Sequence, residues 1–433
     1  MSTMKSAFSL LSVVLIPFFV MAAEVRETQA APNETGIEFD VEAGGIVLFQ
    51  MAVPDALQLG GAPDTFGMTE TLSGTIRRDL SIAGVFNLIK PDAYLTDPNS
   101  EGMDPNYKDW FNAGTQGLVK SGYKIQGQKV VVDLRLYSVD ASTRVELAAP
   151  YDGPVELPLE TAEVRRYTHG FVNEVIRFFT KSPGFFGSRM VVVKRQGKAK
   201  ELFMVSPDGL EETQLTRTGG INMLPHLGGG RIYFTSFRNG GAHLFALKKG
   251  KASPFTSFKG LNTGAVLSPD GKVIAATLSK DGNPDVYLID SESGKVIRQL
   301  TRSWGIDTSP SWSPDGKQIA FVSDRHGSPQ IWIMRIDGDG AAQRLTFQGD
   351  YNQTPDWSPK GDKIAFTARD ERQIFDIFVI DLTSGQIQRL TQNQGNNEEP
   401  SWSPDGGYLA FTSTRTGQSK LYIMSADGRA QTQ

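Results

Sequence analysis

The chain has no cysteine and only four histidines among its 433 residues. The first absence excludes disulfides, a thiolate metal site and a lipid anchor on cysteine. The second leaves little for an imidazole site: His169, His226, His243 and His326 are scattered, and a metal wants at least two ligands close together or on one face. Positive charge is not in excess, because 44 Lys and Arg stand against 48 Asp and Glu for a net −4, so a basic face for nucleic acid is not expected. No Gly-x-Ser-x-Gly elbow, Walker loop, His-Glu-x-x-His or dinucleotide fingerprint occurs. Beyond the first 22 residues no apolar run is long enough to cross a bilayer. Those first residues read as a cleaved secretory signal: Lys5, then apolar Phe8 to Val20, then small residues at Met21-Ala22-Ala23. The rival reading is an uncleaved anchor; the mature protein is expected to be exported and soluble.

What is present is a repeat. Trp312-Ser313-Pro314-Asp315-Gly316 recurs as Trp357-Ser358-Pro359-Lys360-Gly361 and Trp402-Ser403-Pro404-Asp405-Gly406. Leu267-Ser268-Pro269-Asp270-Gly271 is a weaker copy and Leu227-Gly228-Gly229-Gly230 a degenerate one. From Leu267 the spacing is 45 each time, and Leu300-Thr301, Leu345-Thr346 and Leu390-Thr391 keep the same interval. Leu215-Thr216 and Phe255-Thr256 continue that second marker upstream. A period of ~40–50 residues means propeller blades or helical solenoid units. Within one unit, Ile319–Val322, Gln330–Met334 and Gln343–Thr346 are too short for helices. The first two are rich in β-branched and aromatic residues and bounded by turn formers, as strands are. With the strand that enters the pentad, each unit supplies four antiparallel strands, the blade of a propeller.

The strand after the pentad occurs six times, starting near Met190, Arg231, Lys272, Lys317, Asp362 and Gly407. The strand before it occurs five times, near residues 223, 263, 308, 353 and 398. The expected fold is an α/β N-terminal domain followed by an all-β six-bladed β-propeller over 184–433, with the last closing strand missing. A truncation of roughly fifteen residues is expected at the C-terminus, the distance to the next pentad in the period.

Residues 23–36 are polar and form a flexible leader, or a peptide that docks on a partner. Residues 37–182 lack the repeat. There Ile46–Val53 and Val85–Ile89 read as strands, and Leu72, Ile76, Leu80 and Ala83 as one helix face ended by Gly84. Tyr107–Gly114 reads as a short helix with Trp110 and Phe111 inward, and Leu118–Gly122 starts a strand. Lys129–Tyr137 and Arg144–Leu147 are expected to form a hairpin. A long helix near 160–180 carries Val164, Tyr167, Phe171, Val175 and Phe178 on one stripe, with His169 as a structural hydrogen-bonding residue.

One polar pattern survives the search for chemistry. Five residues before each pentad stand Asn222, Asn262, Asp307, Asn352 and Asn397, followed in the later blades by Thr308, Gln353 and Glu398, then Ser309, Thr354 and Glu399. They fall where one blade's outer edge crosses to the next blade's innermost strand, at a channel mouth. Short Asn and Asp side chains hold the backbone of tight crossovers. The same ring of amide and carboxylate oxygens could also grip an inserted peptide or loop, together with a cation, since loops on a rigid scaffold carry binding residues.

An exported chain with a small α/β domain ahead of Trp-Ser-Pro-Asp-Gly blades resembles the TolB family, periplasmic components of the Tol–Pal system of Gram-negative bacteria. Leu72-Ser73-Gly74-Thr75-Ile76-Arg77-Arg78-Asp79-Leu80 leading to Gly84-Val85-Phe86 is similar to the family's first helix and strand. Tyr167, His169 and Asn173-Glu174-Val175 resemble its long helix before the propeller. The resemblance implies a non-enzymatic adaptor, a monomer without a cofactor, located in the periplasm. It implies that the crossover loops face the lipoprotein Pal, and that the leader, including Glu24, Val25, Arg26 and Glu27, engages TolA. Departures from the family are Leu261 or Asn262 where it has a loop histidine, a different leader, and the missing inner strand. The other class of function is a periplasmic propeller enzyme or sugar-binding protein with a channel site, which would want convergent histidines or carboxylates; the propeller's histidines do not repeat in register.

Overall fold

A computed structural model of the chain describes residues 48–433 apart from 338–340. The expected signal and the leader with Glu24 to Glu27 lie outside the described residues. Two compact units divide the chain, one ending at Gly187 and the other running from Ser188 to Gln433.

In the N-terminal unit Leu72, Ile76, Leu80 and Ala83 make one fully buried stripe of the helix Met68–Ala83. Gly84 ends that helix at φ 69°, a left-handed turn that side chains resist. At the other end the Asp64 carboxylate accepts from the N–H groups of Met68 and Thr69, which have no partner within the helix. The chain then enters Phe86–Leu88, parallel to Phe49–Ala52, which is in turn parallel to Gly117–Gln126.

Several expectations change here. Lys129–Ser138 forms its hairpin with the preceding Gly117–Gln126, and Thr143–Arg144 adds only two residue pairs. Leu57–Gly61 and Val155–Pro158 extend the sheet; each is too short and too polar for its alternation to stand out from a loop. In the helix Tyr107–Asn112, Trp110 is fully buried while Phe111 is 60% exposed, because consecutive helical residues point about 100° apart. The helix Thr161–Thr180 buries Val164, Thr168, Phe171, Val172, Val175 and Ile176, leaving Tyr167 and Phe178 at the margins of the stripe. His169 lies on the buried face, and its Nδ1 is 2.6 Å from Asp79 Oδ2.

The second unit is a six-bladed β-propeller. Four blades are four-stranded antiparallel sheets whose inner strands are Asn222–Gly228, Asn262–Leu267, Asp307–Trp312 and Asn352–Trp357. The last blade has Asn397–Trp402, Tyr408–Ser413 and Lys420–Ser425, with a single bridge from Ile423 to Thr432. The first has three strands, Met190–Gln196, Ala199–Val205 and Glu212–Gln214, and no described strand lies on the inner side of Met190–Gln196.

Three of the pentads are locked by a serine–aspartate bond, those at Ser268, Ser313 and Ser403. Ser313 Oγ donates to Asp315 Oδ1 at 2.6 Å and accepts from the Gln318 N–H, while Gly316 takes φ 68°. The Trp before the turn ties blades together: the indole N–H groups of Trp312 and Trp402 donate to the carbonyls of Val266 and Asp356 in the preceding inner strand, both at 3.1 Å. Between blades lie apolar layers such as Ile319, Phe321 and Trp332 packed against Ala275, Val286 and Leu288. Burial of this kind contributes about 25 cal/mol per Å² of apolar surface and holds the ring together.

Candidate functional site

Each inner strand opens with the Asn or Asp of the repeat, and all five are at most 1% exposed. Asn397 Nδ2 donates to Asp376 Oδ1 of the preceding blade at 2.9 Å, and its Oδ1 accepts from Arg415 Nη2 at 3.2 Å. Thr391 Oγ1 donates to the same Asp376 oxygen and accepts from the Ile377 N–H. Gln330, Thr346 and Asn352 make the same arrangement, as do Glu201, Thr216 and Asn222. The Leu-Thr marker and the Asn/Asp marker are therefore two parts of one lock between successive blades. In the fourth blade the residue is Asp307, and Arg325 Nη2 meets its two oxygens at 3.1 and 3.0 Å. Burial, with Asp307 adding to it, pushes the carboxyl of Asp285 behind it upward.

Asn222, Asn262, Asp307, Asn352 and Asn397, expected to grip a partner, stand in the seams between blades. Buried as they are, their side chains hold the crossovers. Thr308, Gln353 and Glu398, one residue on, are half-buried, and burial raises the Glu398 carboxyl. Next come Leu224, Gly264, Ser309, Thr354 and Glu399, all at positive φ between 49° and 63°. Strand register slips at each of them, making a bulge in every inner strand. Pro225, Pro310, Pro355 and Pro400 follow in four of the five strands. Proline has no N–H, so bulge and proline together blunt the free edge that faces the axis. A non-glycine left-handed residue costs of order 1–3 kcal/mol, and strain of this kind gathers at binding sites.

These turns enclose an axial cavity of about 260 Å³. Along its wall Ser311 Oγ accepts from the Trp357 N–H at 3.0 Å, and Asp356 Oδ2 from the Trp402 N–H at 2.8 Å, each reaching to the next blade. Ser401 stands next in this series, and its hydroxyl has no partner among the described residues. Burial pushes the Asp356 carboxyl up to about 7, opposed by the Trp402 N–H and the Ser311 hydroxyl. Burial alone lowers His226 to about 4, and its Nδ1 is without a described partner. Reading by repeats missed both groups, because each occurs in one blade only.

On the crossover side of the ring Trp304 is 77% and Phe347 72% exposed, with Ile221, Phe237 and Ile306 each at least 40% exposed. Crossovers and the turns after the second strands share this face, tied by backbone bonds from Phe237 to Ile221, Arg369 to Tyr351 and Thr414 to Asn396. Exposed Arg217, Lys259 and Arg302 stand on the same crossovers. A bulky aromatic among the Gly, Ser, Gln and Asp of a turn was the available sequence signal for Trp304 and Phe347.

Comparison with known proteins agrees with this architecture. The family described as the TolB beta propeller domain matches residues 177–376 and 373–433, and the TolB amino-terminal domain matches 37–145. The Tol-Pal system protein TolB of Desulfosudis oleivorans is 38% identical over 262 residues, 59% of this chain and 58% of its own. That of Geobacter sulfurreducens is 37% identical over 202 residues, 46% of this chain and 45% of its own. The matched region thus spans about half the length of these curated relatives. The crystal structure of TolB from Acinetobacter baumannii superposes with a TM-score of 0.76 at 27% identity, over 89% of this chain and 93% of that one. The chain belongs to the TolB family of Tol-Pal system proteins.

Proposed function

We propose that the chain is a non-enzymatic periplasmic adaptor of the Tol–Pal cell envelope system. It binds Pal through the crossover face of the propeller and TolA through the N-terminal segment containing Glu24, Val25, Arg26 and Glu27, and so supports outer-membrane integrity and envelope constriction at division. The observation that carries this reading is the pair of bare aromatics, Trp304 and Phe347, on the face that also holds the half-buried polar residues Thr308, Gln353 and Glu398. Exposed aromatics beside a polar rim are the usual anchors of a protein interface. The adaptor needs no cofactor. The test is capture of purified Pal and TolA by the chain with and without residues 23–36. The full chain captures both, and the shortened one keeps Pal and loses TolA; capture of neither by the full chain would refute the proposal.

A second reading, binding of a sugar or other small molecule in the axial cavity, is favoured by the unpartnered His226 and Ser401 atoms on its wall. Against it, Asp356 already spends its oxygens on Trp402 and Ser311. Saturable binding of a monosaccharide, lost in His226→Ala, would favour it.

A further inference from the structure

Five blades seat a cation from the second strand or the turn after it over the aromatic ring of the third strand. Lys194 lies 4.9 Å from the centre of Phe203, Arg238 4.1 Å from Phe245, Lys280 5.1 Å from Tyr287, Arg325 4.7 Å from Trp332 and Arg415 4.2 Å from Tyr422. Where the cation is arginine, its Nε donates to a serine two residues earlier, Ser236, Ser323 or Ser413. In two of those blades Nη2 also reaches the first residue of the inner strand, Asp307 or Asn397.

The fifth blade keeps the rings and lacks the cation from the second-strand side. Phe366 and Phe378 stack at 5.9 Å, against 5.8 Å for Phe234–Phe245 and for Phe411–Tyr422. Ala368 stands in the place of the serine and Asp370 in that of the arginine. A cavity of about 610 Å³ opens there, its lining including both rings, Ala368, Asn352 and Glu371, with Arg369 and Arg389 also on its wall. Asn352 is 1% exposed and spends its Nδ2 on Gln330, Thr346 and the Gln348 carbonyl. Its Oδ1 corresponds to the Asn397 atom that Arg415 holds, and it accepts no hydrogen bond from the described residues. Glu371 is exposed at the mouth with no ion-pair partner among the described residues.

Arg389 does not fill the seat. It comes from the outer strand, is held by Asp376 and Asp370, and stands 5.7 Å from Phe378. Its counterpart in the fourth blade, Arg344, likewise bonds the carbonyl of the following threonine, and there it coexists with a seated Arg325.

We propose that this cavity receives an arginine side chain from a protein that docks on the crossover face. The guanidinium stacks on Phe378, donates to Asn352 Oδ1 and is neutralised by Glu371; the stacking reproduces what three sister blades do with their own arginine, and the bond to the inner strand what two of them do. A planar guanidinium suits both the stacking and the fork of donors, whereas a lysine ammonium offers only a point charge. Of the lining carboxylates Asp350 and Asp370 are paired with Arg369, Arg372 and Arg389, which leaves Glu371 to meet the cation. The seat is independent of which partner brings the arginine, so it stands or falls separately from the assignment of Pal.

The probe is Nα-acetyl-arginine methylamide, titrated into the full chain and followed by NMR, with the site located by crystal soaking. Saturable binding in the millimolar range is expected, with the lysine analogue at least about tenfold weaker and the citrulline analogue not binding. The double substitution Ala368→Ser with Asp370→Arg restores the sister blades' own residues and abolishes binding. Glu371→Lys, at an exposed position where folding is not at stake, weakens it by roughly tenfold, the loss of one charged contact. Free L-arginine binds no more tightly than the blocked form, because the seat recognises the guanidinium and not the α-amino and α-carboxyl groups. Tighter binding of the free amino acid would overturn the protein-borne source. Absence of saturation, equal binding of the citrulline analogue, or binding unchanged in both variants would overturn the seat itself.

Discussion

Two sets of residues within the same crossovers behave in opposite ways. Asn222, Asn262, Asp307, Asn352 and Asn397 recur in five blades and are buried, whereas Trp304 and Phe347 are each unique to one blade and are bare. What the blades share builds the ring, because each copy has the same neighbours to lock. Where the blades differ, the fold does not demand the residue, and an exposed or vacated position is free to meet a ligand. The fifth blade's empty cation seat and the single Asp356 of the axial cavity follow the same rule.

The largest expected effect tests the shared set. Asp307→Ala strips Arg325 of its partner inside a blade seam and should cost about 3 kcal/mol or more in denaturant unfolding. Asp307→Asn, the residue of the sister blades, should cost about 1 kcal/mol or less. Equal losses would show that the lock does not depend on hydrogen bonding.

The cavity groups give a smaller effect with a sign. Asp356 has its folded value raised to about 7, so the folded state holds a proton that the unfolded chain releases near 4. Its contribution is fully present below about 4 and is lost as pH rises toward 7. His226, lowered to about 4, works oppositely: its contribution is present above about 6.5 and is lost as pH falls toward 4. The two slopes oppose one another between about 4 and 6.5. Asp356→Asn should therefore gain stability with rising pH across that window, and His226→Gln should lose it, by up to about 3 kcal/mol each. Identical slopes in both variants would discard this assignment.

The smallest expected effect compares two serines. Ser311→Ala removes an acceptor for the Trp357 N–H and should cost about 1 kcal/mol, while Ser401→Ala should fall within about 0.5 kcal/mol. A larger loss at Ser401 than at Ser311 would mean that its hydroxyl is already engaged.

Legibility followed the same division. The period placed the inner strands to within a residue of Asn222, Asn262, Asp307, Asn352 and Asn397, since five copies corrected one another. In the N-terminal unit, with no second copy to check against, Leu57–Gly61 and Val155–Pro158 went unread and Phe111 was placed inward. The candidate site was legible in position, and of the two roles open to it the crossover lock shows in the hydrogen bonds. Spacing located the Asn and Asp ring at the crossovers, but spacing cannot tell a side chain that points into the seam from one that points out of it. His226, Asp356, Trp304 and the vacancy at Ala368 and Asp370 are departures from the pattern, and they become visible only once the pattern's structural purpose is known.

The most direct test of this division is the affinity of Pal, by calorimetry, for the full chain carrying Trp304→Ala and Phe347→Ala together, with its melting temperature measured alongside. Loss of about 2 kcal/mol or more of binding at an unchanged melting temperature is the predicted result. Undiminished affinity would contradict the account, and so would a fall in melting temperature large enough to explain the loss.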